Sequence, residues 1–597
     1  MVHTRKPEAD FYFSLKFLGS LWTILRLIYP RIEYAAVLTV VLFVANGGCE
    51  VINYNSGTII GDFYSALLAR NESYFWTLIW KATLIYLGQT LLLATVSFIT
   101  WLLYISMRKN LTTSLHNLYF RSNAYQQLNS VDSAGIDNPD QRITQDADRF
   151  CSTLSYNILP YILICPGVIG FYTYKTWITA GPFGCSIVYL YFIIGAIANR
   201  VLISPLTKWT ARVEKCEGDF RYKHVSVRNN AEESAFCDAA DFDKRECNRF
   251  LGILLRRQLR ASLWKYPAQF LQNFFDYYGG VVSYLIQVFP IFIFNSYKDM
   301  DPSDLGKHIS NNAFVFIYLI NSFTRLTDLA MGMGEMAGYC QRIAQLVRET
   351  KRIHEGEVTY WNCDDFNIGV DELLMTQDLA YTSPCGEQDS ALVSGLNLRL
   401  PKCKSLLITG SSGVGKSSLL RILKNLWRPS AGLVVRRFTR SNSMFLPQRP
   451  YFPAGYLSLR QQILFPLVER DVPCIDMENA RILYILQLLN LSTLIAMSGG
   501  LTEPSTFDWQ DTLSPGEQQR LAIARVLYHR PSYVFLDEAT SSLPSEAQHL
   551  IYTLLKEAGI SYVSVGHRKS LREYHDWELY LGGKSGWELT TDEDVKF

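Results

Sequence analysis

LLITGSSGVGKSSLL, Leu406 to Leu420, is the stretch from which the rest of the sequence can be read. A short apolar strand runs into a turn, and Gly410 to Ser417 match the spacing G-x-x-x-x-G-K-[ST]. Average composition would produce that pattern only ~0.02 times in a chain of this length. The helix-like run LLRILKNL follows at once, so the strand–loop–helix context is complete. Glycines let backbone N–H groups approach a phosphate, and the N-terminus of the following helix favours its charge. Gly410, Ser411, Ser412, Gly413, Val414, Gly415, Lys416, Ser417 and Ser418 are thereby assigned to binding a nucleoside triphosphate. Lys416 is expected to reach the β- and γ-phosphates, and Ser417 to hold Mg²⁺.

Downstream, YVFLDEATSSL is a second apolar strand, ending in Asp537 and Glu538. Two carboxylates at a strand's C-terminal edge suit metal binding and water activation. Asp537 is expected to support Mg²⁺ and Glu538 to polarise the attacking water. Alone such a strand says little; paired with the phosphate loop it is strong evidence for metal binding and water activation beside a triphosphate.

Upstream the composition changes. The chain has 597 residues, too many for one core, and most long apolar runs fall before about residue 335. Charged residues make up 19% and apolar residues 48%, with 35 Tyr and 33 Phe, which excludes a disordered chain. The 57 basic residues nearly balance 55 acidic ones, so nothing points to nucleic acid. Twelve Cys show no metal-ligand spacing, and Cys165 and Cys185 read as small buried hydrophobes. The N-terminus has no apolar core followed by a small-residue cleavage site, so no cleaved leader is expected.

A helix needs about 20 apolar residues to cross a bilayer. Six stretches qualify: Tyr34–Tyr54, Tyr74–Tyr104, Tyr156–Tyr174, Thr179–Leu202, Phe274–Phe294 and Ala313–Met333. The third and fourth are joined only by residues around Lys175 to Ala180, which makes them antiparallel neighbours. Basic residues crowd the N-terminal segment and the long links after the second and fourth spans; the opposite loops carry few. Both termini are therefore expected in the cytosol. The two long links, roughly 50 and 70 residues, read as helices continuing past the bilayer, because long structureless connections are uncommon. Within the spans, Glu50 and Lys81 lie near outer ends, where Lys81 can snorkel to the interface. Arg325 and Asp328 are three residues apart and able to pair on one helical face, either beside a path or as a structural pair. Asn71-Glu72-Ser73 is an isolated glycosylation triplet on the outer side, of the kind that occurs by chance.

Between the two nucleotide motifs lies TLSPGEQQRLAIARVLYHRPS, Thr512 to Ser532. It resembles the signature of ATP-binding cassette proteins, usually L-S-G-G-Q followed by a helix carrying an Arg. Gln448 in MFLPQRPYF resembles the glutamine loop, and His567 in YVSVGHRKSL the switch histidine. The resemblance implies an α-helical transmembrane domain of six spans followed by an α/β P-loop nucleotide-binding domain, a half-transporter of the exporter type. It adds Gln448 and His567 to Glu538 as catalytic residues, and Gln448 to Ser417 and Asp537 as Mg²⁺ ligands. It also implies a homodimer in which each ATP lies between one Walker loop and the partner's Ser514 and Gly516. The domains follow as a cytosolic segment 1–33, a membrane domain 34–345, a linker 346–370 and a cassette 371–597.

Finer features resemble subfamily D, which holds peroxisomal acyl-CoA transporters and a lysosomal vitamin B12 branch. NAEESAF, Asn230 to Phe236, resembles that group's glutamate-rich motif, and IDNPDQRITQD, Ile136 to Asp146, its first cytosolic-link motif. GDFRYKH, NAFVFIYLI and the SPGE of the signature look most like the cobalamin branch. The resemblance therefore implies ATP-driven cobalamin export from the lysosomal lumen, at a lysosomal membrane or also the endoplasmic reticulum, with a membrane partner protein for delivery. The alternatives are acyl-CoA transport at the peroxisome, which the short N-terminal segment argues against, and a regulatory ATPase that moves nothing. Three departures stand out. Pro515 and Glu517 replace Gly and Gln in the signature, Pro544 replaces the usual Asp after Glu538, and Ser383 occupies the expected adenine-stacking position. Tyr381, two residues earlier on the same strand face, is the candidate to stack instead, although that face usually packs inward.

Overall fold

The computed structural model describes residues 15–591 apart from 32, 132–135, 137, 163, 294–296, 298–299, 359–370, 384–390, 468–474 and 584–585. Arg5 and Lys6 of the N-terminal segment, Phe294, Lys298, Pro384 and the linker beyond Val358 lie outside the described residues. The chain divides into two compact units, Met1–Leu118 with Ile136–Glu349, and Tyr119–Gly135 with Thr350–Phe597.

The first unit is helical. A short amphipathic helix α1 (Leu15–Ile28) buries Phe17, Ile24 and Ile28 and leaves Trp22 exposed. Long helices follow: α2 (Tyr34–Leu68), α3 (Glu72–Tyr119), α4 (Ile164–Asn229), a short α5 (Ala231–Phe236), α6 (Ala240–Ile286) and α7 (Pro302–Val358). Between α3 and α4 the described residues of 121–131 and 138–162 form short helical turns, several of them π-helical. At a rise of about 1.5 Å per residue the longest of these helices outrun a bilayer, as expected for the two long links. Among the described residues three stretches hold an apolar window long enough to cross a membrane, Tyr34–Leu68, Glu72–Tyr119 and Pro139–Ala198, with mean hydropathy 2.0, 1.8 and 1.8 over 18 residues. Their outward faces carry large apolar side chains such as Val44 and Trp80, both 72% exposed, as lipid contact requires.

The turn between the third and fourth predicted spans is not at Lys175–Ala180 but at Gly181, where φ is 66° and ψ −166°. Only glycine adopts that backbone without strain, and Pro182 follows it. Across the hairpin Thr173 and Tyr189 hydroxyls meet at 3.1 Å. α2 and α7 run antiparallel and pack closely through Gly57 and Gly61. A Cβ at Gly57 would lie 2.1 Å from the Phe314 ring, and one at Gly61 2.3 Å from Asn311 Oδ1. Small residues four apart allow this approach of two backbones in a membrane. Asp62 and Lys307 close the same seam at 2.8 Å.

One expectation about charge within the helices is corrected here. Arg325 faces Glu50 of α2, Nη1 to Oε1 3.7 Å, rather than Asp328 on its own helix. Glu50 itself lies near the middle of α2, because the helix continues well past the predicted span end at Tyr54. The partner came from a helix 275 positions away, which local spacing does not reveal. At the link after α4, Asp243 accepts hydrogen bonds from Lys223 Nζ (2.8 Å) and Ser234 Oγ (2.7 Å), fixing α5, with Glu232 and Glu233 exposed.

The second unit is an α/β structure. An antiparallel sheet of order β2-β1-β4 joins β1 (Glu372–Thr382), β2 (Ala391–Pro401) and β4 (Ala431–Arg436). A second sheet has order β5-β6-β7-β3-β8-β9: β5 (Ser443–Leu446), β6 (Tyr533–Asp537), β7 (Ser561–Val565), β3 (Leu406–Gly410), β8 (Trp577–Leu581) and β9 (Trp587–Thr590). All its pairings are parallel except β8 with β9. Parallel neighbours need crossovers, supplied by α8 (Lys416–Leu423), α9 (Leu459–Leu464), α10 (Ile475–Leu488), α11 (Pro515–His529) and α12 (Ser545–Glu557). The strands read as apolar runs because helices cover the sheet; Val534, Phe535 and Leu536 of β6 are all buried.

Candidate functional site

The register of the parallel sheet builds the site. Val565 of β7 pairs with Ile408 of β3 on one side and Asp537 of β6 on the other. The C-terminal ends of these strands therefore lie level, the edge where open α/β sheets bind ligands. From that edge β3 enters the phosphate loop, with φ of 140° at Gly410, 84° at Gly413 and 105° at Gly415. Glycine is required twice over at two of these positions. A Cβ at Gly410 would stand 2.3 Å from the Leu581 carbonyl oxygen, and one at Gly415 3.0 Å from the Tyr381 ring.

Lys416 opens α8 and donates to the carbonyls of Gly410 (3.0 Å) and Ser411 (2.8 Å), so the ammonium arches back over the loop. Burial pulls its pKa down, opposed by the carboxylates of Glu538 and Asp537. Ser411, Ser412 and Gly413 are exposed at the loop crest, Val414 is half-buried, and Ser418 is buried beneath. Ser417 Oγ donates to Asp537 Oδ1 at 2.8 Å, joining residues 120 positions apart. Burial and the neighbouring Glu538 raise the Asp537 pKa above the usual carboxylate range, against the pull of Ser417, Arg421 and Lys416. A hydroxyl beside a carboxylate at the phosphate end of the loop is a hard oxygen donor set, which fits Mg²⁺.

Glu538 is a non-glycine residue in the left-handed region, φ 49°, held by its N–H to the Val565 carbonyl at 3.2 Å. Such backbone strain recurs where a side chain must be aimed. Its carboxylate is gripped from both sides. Gln448 Nε2, at the end of β5, donates to Oε2 at 2.9 Å, and His567 Nε2, at the end of β7, lies 3.2 Å from Oε1. Three adjacent strands thus deliver the three residues read as catalytic.

Ser514 and Gly516 lie at the N-terminus of α11. Ser514 is the N-cap of a full capping box: it accepts from the Glu517 amide, and the Glu517 carboxylate accepts from the Ser514 amide at 3.0 Å and hydroxyl at 2.6 Å. Pro515 sits at the first helical position, where its missing N–H costs nothing. The two departures in the signature therefore form a good helix start. Pro544 is likewise the N-cap of α12, with no side-chain cap bond.

Tyr381 is not available to stack on a base. It is fully buried, and its hydroxyl donates to the Gly415 carbonyl at 3.2 Å. The ring supports the phosphate loop from beneath, because β1 presents that face to the core. Sequence reading also missed Gln519 and Arg568. Gln519 Oε1 accepts from the Ser542 amide at 3.0 Å, and Arg568 donates to the carbonyls of Ser541 and Leu543, both at 2.8 Å. Together they pin the loop after Glu538, so Arg568 ties the switch-histidine segment to it. The only available signal was that Arg568 follows His567.

Residues 24–292 match the family described as ABC transporter transmembrane region 2, and residues 393–541 the family described as ABC transporter. The chain is 37% identical to the Homo sapiens protein named lysosomal cobalamin transporter ABCD4, covering 98% of this chain and 97% of that one. Its identity to ABC transporter D family member 1 of Dictyostelium discoideum is 27%, covering 96% and 89%. Among solved structures, a bacterial Atm1-family ABC exporter with ATP bound matches with a TM-score of 0.69 at 15% identity, over 94% of this chain and 97% of that one. That last likeness concerns the fold, and it agrees with a helical membrane region followed by a nucleotide-binding α/β unit. Similarity to named relatives over nearly the whole length goes further: the chain belongs to subfamily D of the ATP-binding cassette transporters, membrane translocases driven by ATP hydrolysis.

Proposed function

We propose that this chain is a half-transporter that moves cobalamin from the lysosomal lumen to the cytosol as a homodimer, with both termini cytosolic and six spans per chain. The observation that carries the reading is identity of 37% to a lysosomal cobalamin transporter across 98% of the chain. The proposed boundaries remain a cytosolic segment to residue 33, a membrane domain to 345, a linker to 370 and the cassette beyond.

In the proposed cycle the phosphate loop cradles the triphosphate, and Lys416 leaves its loop carbonyls for the β- and γ-phosphates. Ser417 and Asp537, with Gln448 beside them, would hold Mg²⁺, which offsets phosphate charge. Glu538 then accepts a proton from the attacking water, while Gln448 and His567 fix its two oxygens in place. Ser514 and Gly516 of the partner close over the γ-phosphate. Delivery to the lysosome through a membrane partner belongs to the same proposal.

The deciding experiment is transport by the purified protein in liposomes, with cobalamin and an acyl-CoA offered side by side. ATP-dependent cobalamin flux is the expected result. Flux of acyl-CoA alone would support the subfamily's other substrate class, and ATPase without flux of either a regulatory ATPase.

A further inference from the structure

Near the middle of α2, polar side chains from four helices meet. Gln89 of α3 donates from Nε2 to Asn53 Oδ1 at 2.7 Å, and Asn53 Nδ2 donates to the Tyr318 hydroxyl at 3.1 Å. Tyr318 of α7 donates in turn to Glu50 Oε2 at 2.6 Å, and Arg325 Nη1 approaches Oε1 at 3.7 Å. Tyr172 of α4 stacks on the Tyr318 ring with centroids 4.6 Å apart. The relay ends unsatisfied on its neutral side: Gln89 Oε1 and the Tyr172 hydroxyl are buried without a hydrogen-bond partner. Tyr172 is only 2% exposed. Buried polar atoms left unpaired are costly, and ionisable groups inside a membrane domain are functional-site candidates by default.

The chemistry presented is specific. Glu50 and Arg325 cancel, so the relay carries no net charge. Arg325 keeps 44% of its side chain exposed, against 21% for Glu50, and so offers donors, while Gln89 Oε1 offers an acceptor. Tyr172, Tyr318 and Phe314 pack on one another beside it, and the Arg325 guanidinium lies 5.5 Å over the Tyr318 ring. Lys175 lies over the Tyr54 and Phe171 rings at 5.6 and 5.7 Å. A carboxamide gives and accepts at once and needs no counter-charge, whereas a polyphosphate needs several cations together. We infer that Glu50, Asn53, Gln89, Tyr172, Tyr318 and Arg325 form a substrate site for an uncharged, carboxamide-rich ligand. This rests on the transport reading above and deepens it: cobalamin, fringed by amides on a flat ring, belongs to this class, and acyl-CoA does not.

The test uses the full chain in lipid nanodiscs. Three probes are compared by equilibrium binding: cyanocobalamin, the corrinoid whose side-chain amides have been hydrolysed to carboxylates, and palmitoyl-CoA. The wild type is expected to favour the amide form by ~10-fold or more, since a site built on hydrogen bonds rejects a ligand that leaves them unmade. Arg325→Gln and Gln89→Leu should each weaken cyanocobalamin binding by roughly tenfold. Glu50→Gln leaves Arg325 uncompensated and should shift preference toward the carboxylate corrinoid, a reversal that a merely structural role would not produce. Tyr318→Phe, which keeps the ring stack but frees Glu50, is the second variant if Glu50→Gln does not fold. Cobalamin binding and flux with an unchanged amide-to-carboxylate ratio in the variants would overturn the site and leave the transport reading standing. Tighter wild-type binding of the carboxylate corrinoid or palmitoyl-CoA would overturn the ligand class, and no cobalamin binding at all would overturn both.

Discussion

Glu517 holds the Ser514 hydroxyl at 2.6 Å, the hydroxyl that the proposed dimer directs at the partner's γ-phosphate. A carboxylate there competes for the same hydrogen and repels the phosphate; the amide of a Gln would do neither. Glu517→Gln should lower the ATP concentration for half-maximal ATPase by roughly threefold to tenfold with little change in kcat, since a lost repulsion of about 1 kcal/mol acts on binding. An unchanged KM would place the carboxylate outside the phosphate's approach. Tyr381 makes a second residue-scale case. Because its ring and hydroxyl support Gly415, Tyr381→Ala should weaken ATP and inorganic triphosphate alike. If Tyr381 stacked on adenine, triphosphate binding would be spared. Lys416, Ser417 and Asp537 could each be proposed from a local motif, and the structure brings the Ser417 hydroxyl onto Asp537. The stacking role read for Tyr381 was not, because which face of β1 turns inward depends on what packs beneath it.

The helices and strands carry their own expectations. Where α2 and α7 touch, Gly57 leaves no room for a side chain, the nearest ring atoms of Phe314 lying 2.1 Å from a built Cβ. Gly57→Leu should therefore separate the helices and abolish a monodisperse peak on size-exclusion chromatography, while Gly88→Leu, where nothing lies within 4 Å, should be tolerated. In the second unit the segment before β8 inserts His575 between Tyr552 and Tyr562, with ring centroids at 5.4 and 5.1 Å. Burial lowers the His575 pKa from 6.5 to about 4. The unfolded chain takes up that proton near pH 6.5 and the folded chain refuses it until about pH 4, so stability falls as pH drops through this window. The loss is up to roughly 3 kcal/mol. His575→Phe should flatten the pH dependence of the melting transition over that range in the full chain; a slope unchanged from wild type would assign the proton elsewhere.

At the scale of the whole molecule the proposal is a site shared between two chains. Mixing Lys416→Ala chains with Ser514→Ala chains, each under its own tag, should give a dimer with one doubly damaged and one intact site. Such a dimer should retain part of the ATPase activity and bind about one nucleotide tightly. A site complete within one chain would leave every site damaged and the mixed dimer as inactive as its parents. Counting bound nucleotide per dimer separates strict cooperativity from that failure.

The sequence by itself determined the two-part organisation, the phosphate loop, the paired carboxylates and the family. Each of these rests on short local motifs, on the order in which several such motifs follow one another, or on apolar length set by the thickness of a bilayer. Tertiary structure alone decided the rest. Ser417 reaches Asp537 across 120 positions, Gln448 and His567 converge on Glu538, and Arg325 takes Glu50 rather than its helical neighbour Asp328. The physical reason is common to all: parallel strand register and antiparallel helix packing bring together groups whose separation along the chain carries no record of the contact. A motif shows what a residue is able to do; the packing of distant elements settles which partner it does it with.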